Sequence, residues 1–290
     1  MDVIGAALVS IAFHGTAYAM ILYVISVGLS VTMGLMGFAN LAHGVFAMFG
    51  GYVTVTLMNA LGLPFGLALA AAFVAVGAAS VVVERTLYAR LYGAGELEQV
   101  LFTIGLIFMS IATAHFFWGP LSQRVLVPAE ISGQIDLGFR SVPAYRVFLI
   151  ASGFAIFAVL WLGLERTRFG AQIRAAVDNR RMAQSIGINT GRLFTVTFAL
   201  GSGLAGLGGG LGAEILAIQP GYAIQHLDYF LIGVAVGGLG SIRGPCVAAM
   251  ALGIGDTATK YLVPEIGAFF IYAATLGLLL WRPAGLFGRA

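Results

Sequence analysis

LFTVTFALGSGLAGLGGGLGAEIL, residues 193–216, carries a single charge, Glu214, and that near its end. About 20 apolar residues cross the hydrocarbon core of a bilayer as a helix, so this stretch predicts a membrane span. Its small residues predict how the span packs. Ala205, Gly209 and Ala213 recur every fourth position along one helical face, and Gly208 and Gly212 along an adjacent one. Lipid tails are as apolar as leucine, so helices in a membrane associate by close backbone approach, and faces of this kind are built for it.

The rest of the chain agrees. Of its 290 residues 60% are hydrophobic and only 9% charged, 41 are glycine, and the mean hydropathy is +0.97. A water-soluble domain of this length does not have that composition. The expected fold is an all-α polytopic helical membrane protein, one transmembrane domain over 1–290. Segments are expected near 6–33, 38–61, 63–83, 99–118, 146–164, 193–216, 228–241, 245–263 and 265–281, which makes about eight or nine spans. The segment near 228–241 is short and interrupted by glycine, and the one entered through Gly37 carries Asn40 and His43. Either is a candidate broken or re-entrant helix. The first apolar stretch lacks a basic leader and exceeds a signal peptide in length, so it reads as a retained helix.

Against this background one stretch stands out as polar: ERTRFGAQIRAAVDNRRMAQSIGINTGR, residues 165–192, with six of the 14 arginines. An arginine at a bilayer centre costs roughly 3 kcal/mol, so this loop belongs in water. With the loop and the C-terminus cytoplasmic and the N-terminus outside, Arg85, Arg90, Arg243, Arg282 and Arg289 also fall inside. Arg124, Arg140, Arg146 and Lys260 then fall outside, the asymmetry expected of a cytoplasmic membrane protein. The net charge of +3 follows this topology, and no basic patch interleaved with aromatics suggests nucleic acid. The lipid bilayer is the first partner.

The chemistry-bearing residues are few. Lys260 is the single lysine and Tyr261 follows it, which excludes a P-loop ATP site of the Gly-Lys-Ser/Thr kind. None of His14, His43, His115 and His226 precedes a glutamate, and Cys246 is alone, so zincin, multi-cysteine metal and intramolecular disulfide readings fail. His14 and His115 on apolar helices read as core histidines ahead of haem ligands. Asp256, four residues before Lys260, reads as half of a local ion pair, and Glu214 and Asp228 as solvated loop positions. Asn40 and His43, three apart, are expected on one face of a helix, either lining a transport path or pairing between helices. Residue type leaves both readings open.

Four motifs together give the chain a family likeness: GLMGFANLAHG at 34–44, TRFGAQIRAAVDNRRMAQSIGIN at 167–189, GGLGSIRGP at 237–245 and RPAGLFG at 282–288. Over essentially its full length it resembles the LivH-type permease subunit of bacterial ABC importers for branched-chain amino acids. Arg243 and Pro245 depart from the pattern, where similar sequences often have Pro and Ala. The resemblance implies a permease paired with a LivM-type second permease subunit, two cytoplasmic ATPase subunits and a soluble solute-binding protein, with no cofactor on this chain and ATP used by the partners. Gly37, Asn40, His43 and Gly44 are the candidate translocation path, read from two polar side chains in an apolar segment flanked by glycines. The resemblance implies a coupling helix whose matching positions are Thr167, Arg168, Gly170, Arg174, Ala175, Asn179, Ala183, Gly187, Ile188 and Asn189. Ala183 and Gly187, four apart, are expected to form a smooth surface closed by a glycine cap, with Arg168, Arg174, Arg180 and Arg181 facing an acidic partner. Relatives of this kind also carry urea, short-chain amides or monosaccharides. An ion-gradient transporter using Glu214, Asp228 or Asp256 is the rival from another class.

Overall fold

The computed structural model describes residues 3–38, 40–125, 127–128, 131–136 and 141–288. The helices are α1 (Val3–Met36), α2 (His43–Leu61), α3 (Phe65–Thr86), α4 (Glu96–Trp118), α5 (Ala144–Glu165), α6 (Arg168–Asp178), α7 (Arg180–Ser185), α8 (Thr190–Gly212), α9 (Tyr222–Gln225), α10 (Leu227–Gly237), α11 (Arg243–Leu262), α12 (Pro264–Gly267) and α13 (Phe270–Trp281). A 3-10 turn at Tyr88–Leu91 follows α3, and β1 (Gln134–Asp136) pairs antiparallel with β2 (Ser141–Pro143) in the α4–α5 crossover. Among the described residues six helices are long and apolar enough to cross a membrane: α1 to α5 and α8. The fold is therefore an all-α polytopic membrane protein. Hydrocarbon leaves backbone groups no water to bond, so apolar runs of this length become helices.

Each of the nine expected segments coincides with a helix, but four boundaries move by four residues or more. The second starts at His43 and not at residue 38, the sixth ends at Gly212, the seventh ends at Gly237, and the last starts at Phe270 after the short α12. Hydropathy continues through these places while the backbone leaves the helix.

α8 lies at the centre, against α1, α2 and α3, and α1 in turn lies against α5, α10 and α11. The small residues make the contacts expected of them. A Cβ on Gly209 would sit 1.9 Å from the Ala47 carbonyl oxygen of α2, and one on Gly208 or Gly212 would strike Ile25 or Ile21 of α1. Further along, a Cβ on Gly50 would lie 2.1 Å from Gly206 Cα, and one on Gly28 2.4 Å from the Gly201 oxygen. α4 and α5 are the least buried of the long helices, and α4 turns Leu97, Leu101, Phe108, Met109, Phe116 and Phe117 outward, the dress of a lipid-facing surface.

The two ends of the bundle differ in charge. α6 and α7 cover the end where α1, α3, α5 and α10 finish and α4, α8 and α11 begin, where Glu165 of α5 pairs with Arg243 of α11 at 2.7 Å and Thr195 Oγ1 of α8 donates to Glu84 Oε2 of α3 at 2.9 Å. Arg85, Arg90 and Arg282 lie at that end; Arg124, Arg146 and Lys260 lie at the other. Arg140 and Arg289 are outside the described residues. At the sparsely charged end the crossover is pinned by a two-way backbone bridge, Gln123 N–H to the Ile218 oxygen at 2.7 Å and Ile218 N–H to the Gln123 oxygen at 2.9 Å.

Candidate functional site

The chain breaks out of helix between α1 and α2. Gly37 adopts φ +61°, a conformation that other residues reach only with strain, and its N–H still bonds the Met33 oxygen at 2.9 Å. From there the chain turns back into the bundle. His43 Nε2 lies 3.0 Å from the carbonyl oxygen of Ile25, eleven residues before the end of α1. At 1.5 Å rise per residue α2 therefore begins about 16 Å inward from that end. Among the described residues, 37–38 and 40–42 are thus non-helical chain at membrane depth, which is tolerated only where protein covers it. Here it is covered: Phe38, Asn40 and Ala42 are buried, and the Phe38 ring packs 5.0 Å from that of Tyr88.

Asn40 and His43 do not share a helical face, contrary to expectation. Asn40 lies in the break and His43 is the first residue of α2, because the backbone becomes helical only after Ala42. Asn40 Oδ1 accepts from the Tyr88 hydroxyl at 2.8 Å, while its Nδ2 and His43 Nδ1 are buried without a hydrogen-bond partner. Gly44 allows the start of α2 to lie against Ala223 of α9, whose carbonyl oxygen would be 3.1 Å from a Cβ there. The buried hydroxyl of neighbouring Tyr222 also lacks a partner. Buried polar atoms usually pair, so unpaired ones on Asn40 and His43 set this helix break apart from an ordinary apolar contact.

The polar loop forms α6 and α7. Three of its matched residues are N-caps: Thr167 Oγ1 accepts from Gly170 N–H at 3.3 Å, Asn179 Oδ1 from Met182 N–H at 3.0 Å, and Asn189 Oδ1 from Arg192 N–H at 2.9 Å. Gly187, at φ +87°, closes α7 as expected, with its N–H on the Gln184 oxygen and the Ile188 N–H on the Ala183 oxygen, both 3.0 Å. That pair of bonds is a Schellman cap. Gly170 lets α6 fold tightly onto the end of α5, where a Cβ would be 1.8 Å from the Leu164 oxygen.

Other expectations for the loop change. Ala183 is 1% exposed and packs with Leu35, Ile173, Ala176, Leu193 and Phe194, so it fastens α7 to the bundle and offers no outer surface. The Arg174 guanidinium donates to the Leu164 carbonyl at the end of α5, and that of Arg180 lies 4.6 Å above the Phe194 ring. All four arginines, Arg168, Arg174, Arg180 and Arg181, are exposed, but Arg174 and Arg180 each also make a contact back to the bundle. Among these exposed polar residues stand two large apolar ones: Met182 is 61% and Ile186 69% exposed, one turn apart. An i, i+4 apolar pair in an otherwise polar loop was the signal available in the sequence.

At the opposite end of the bundle lies a cavity of about 420 Å³, inside the span of roughly 300–1,000 Å³ usual for small-molecule sites. Its polar lining includes Tyr18, Arg146, His226, Tyr229, Asp256 and Lys260. Lys260 Nζ donates to Asp256 Oδ2 at 2.7 Å, the ion pair expected from their spacing. The Asp256 side chain is 4% exposed and that of Lys260 48%, so the pair is buried at one end only. Burial holds the His226 imidazole below its ordinary pKa, against the pull of its bond to the Tyr222 oxygen, so it enters the cavity neutral at pH 7. Asp228 belongs elsewhere, accepting from the Tyr272 hydroxyl. Among the described residues no group of His, Cys, Asp and Glu could hold a metal ion.

Comparison with known proteins places this architecture. The chain is 27% identical over 291 residues to the high-affinity branched-chain amino acid transport system permease protein BraD of Pseudomonas aeruginosa, covering 95% of this chain and 92% of that one. It is 28% identical over 294 residues to the permease protein LivH of Escherichia coli K12, covering 96% and 94%. It is 26% identical over 275 residues to a probable LivH of Methanocaldococcus jannaschii, covering 91% and 85%. No solved structure matches it significantly. Residues 11–279, nearly the whole membrane bundle with the α1–α2 break and the α6–α7 loop, match the family described as branched-chain amino acid transport system, permease component, and to that family the chain belongs.

Proposed function

We propose that the chain is the membrane-spanning permease subunit of an ATP-binding-cassette importer that carries branched-chain amino acids into the cytoplasm. The observation that carries this reading is the family match over residues 11–279. A LivM-type permease completes the membrane part, two cytoplasmic ATPase subunits drive it, and a soluble binding protein delivers solute. No chemistry is done on the solute and no cofactor resides on this chain. ATP-driven closure of the ATPases biases two conformations of the bundle, which opens to one side and then the other.

The α6–α7 end is cytoplasmic in this reading, with the N-terminus outside and the C-terminus inside. The concentration of arginine at that end supports it. In a Cys246→Ser background, Arg181→Cys on intact cells is expected to resist an impermeant maleimide and to react after permeabilisation. Labelling from outside before permeabilisation reverses the orientation.

Gly37, Asn40, His43 and Gly44 shape the solute path, supported by the break at membrane depth and its unpaired polar atoms. Asn40→Ala and His43→Ala should each lower leucine uptake about tenfold or more, with subunit assembly intact, since each removes one hydrogen bond from the path, worth roughly 1.5 kcal/mol. Normal uptake by both assembled variants would return these residues to a packing role. Uptake of urea or ribose, and none of leucine, by the wild-type complex overturns the solute.

A further inference from the structure

We propose that the cavity between α1, α5, α10 and α11 is a zwitterion site, at which Arg146 takes a carboxylate and Asp256 an ammonium while Ile215 and Leu216 receive an aliphatic side chain. The inference rests on the importer reading above and adds to it a place where this subunit itself holds free amino acid on the outer side. The lining carries it: two cations, one carboxylate and an apolar wall in a single space.

A cavity meant for an uncharged solute needs none of these charges, and one meant for a plain anion has no use for Asp256. The carboxylate is nearly fully buried, and Lys260 engages only Oδ2, which leaves Oδ1 outside that bond. Arg146 sits at the start of α5, on a different element from Asp256, partly exposed. A guanidinium meets a carboxylate through charge-assisted hydrogen bonds, and a carboxylate meets an ammonium in the same way. The neutral His226 and the hydroxyls of Tyr18 and Tyr229 add hydrogen-bonding capacity without net charge. Because Lys260 already occupies one oxygen of Asp256, an incoming ammonium gains only part of that carboxylate. The site is therefore weak, as a site that must release its solute inward has to be.

Protection of an engineered cysteine tests this in the complete importer in proteoliposomes. Thr257 lines the cavity and its hydroxyl only bonds back to the Gly253 oxygen at 2.8 Å, so Thr257→Cys in a Cys246→Ser chain is a mild reporter. Leucine at about three times its Kd should slow maleimide labelling about fourfold, by simple mass action. Leucinamide, which lacks the carboxylate, and N-acetyl-leucine, which lacks the ammonium, should protect far less. Arg146→Gln and Asp256→Asn should each abolish protection while the rate without ligand stays as before; if Asp256→Asn does not assemble, Arg146→Gln decides alone. No slowing by millimolar leucine overturns the site, and equal protection by N-acetyl-leucine reduces it to a plain anion site and overturns the zwitterion. Leucine uptake measured on the same vesicles separates the two readings. Uptake without protection defeats only the cavity, whereas protection by urea or ribose with no leucine uptake defeats the importer's assigned solute as well.

Discussion

Gly209→Ala should keep the protein from reaching a monodisperse folded state in mild detergent, although one methyl group is the whole of the change. The added Cβ would lie 1.9 Å from the Ala47 carbonyl oxygen, which is backbone and has no rotamer to move. Relief requires α8 and α2 to separate by more than 1 Å or so, and overpacking of a close-packed core costs about 1–3 kcal/mol or more. Separation there also loosens Gly50 from Gly206 along the same pair of helices. Gly105→Ala on exposed α4 is the control: nothing lies within 4 Å of a Cβ there, and alanine favours helix over glycine by about 1 kcal/mol. Thermal unfolding followed by size exclusion should show a lowered midpoint or aggregation for Gly209→Ala and an unchanged or raised midpoint for Gly105→Ala. Equal midpoints would mean that the glycine contacts between α8 and α2 do not set stability.

Such contacts explain why so much of the fold is legible in the sequence. In hydrocarbon an apolar run has one way to satisfy its backbone, so hydropathy locates the helices, and the four-residue recurrence of Gly and Ala in 193–216 identifies the helix that sits at the centre. The breaks are less legible. Phe38, Leu41 and Ala42 are as apolar as the helix they precede, and only Gly37 and the polar pair Asn40 and His43 hint that the chain leaves helix there. A three-residue spacing means a shared face only if the backbone is helical across it, and between Asn40 and His43 it is not. The cavity at the end opposite α6 and α7 is illegible for a different reason: Tyr18, Arg146, His226 and Asp256 come from distant parts of the chain, and no local spacing records that they meet. In the α6–α7 loop the motif residues are visible, but what they do is not. Thr167, Asn179 and Asn189 cap helices and Ala183 packs inward, so four positions matched to a coupling motif are needed first for the loop's own shape.

That distinction decides how coupling to the ATPases is to be tested. Arg174→Glu would tear the guanidinium from the Leu164 carbonyl, and Gly187→Trp would force a bulky residue into φ +87°, so either would disable the loop whether or not an ATPase touches it. Met182 and Ile186 are better probes, because they are exposed, lie one turn apart and hold nothing else in place. Large apolar side chains set at the centre of an interface commonly contribute about 2 kcal/mol each. The double change Met182→Glu, Ile186→Glu is therefore expected to weaken docking of the ATPases by roughly 100-fold or more, each 1.4 kcal/mol being a factor of ten. ATPase pull-down and solute-stimulated ATP hydrolysis should both fall to background. The melting midpoint of the membrane bundle should stay where it was, since the capped loop and its buried anchor at Ala183 are untouched. Arg181→Gln, at an exposed charge beside the same face, should cost far less and more at low salt than at high, because surface charge is screened. Normal pull-down and normal stimulation in the double variant would show that the ATPases grip some other part of this end, and would leave the arginines of the loop to set only the orientation of the chain in the membrane.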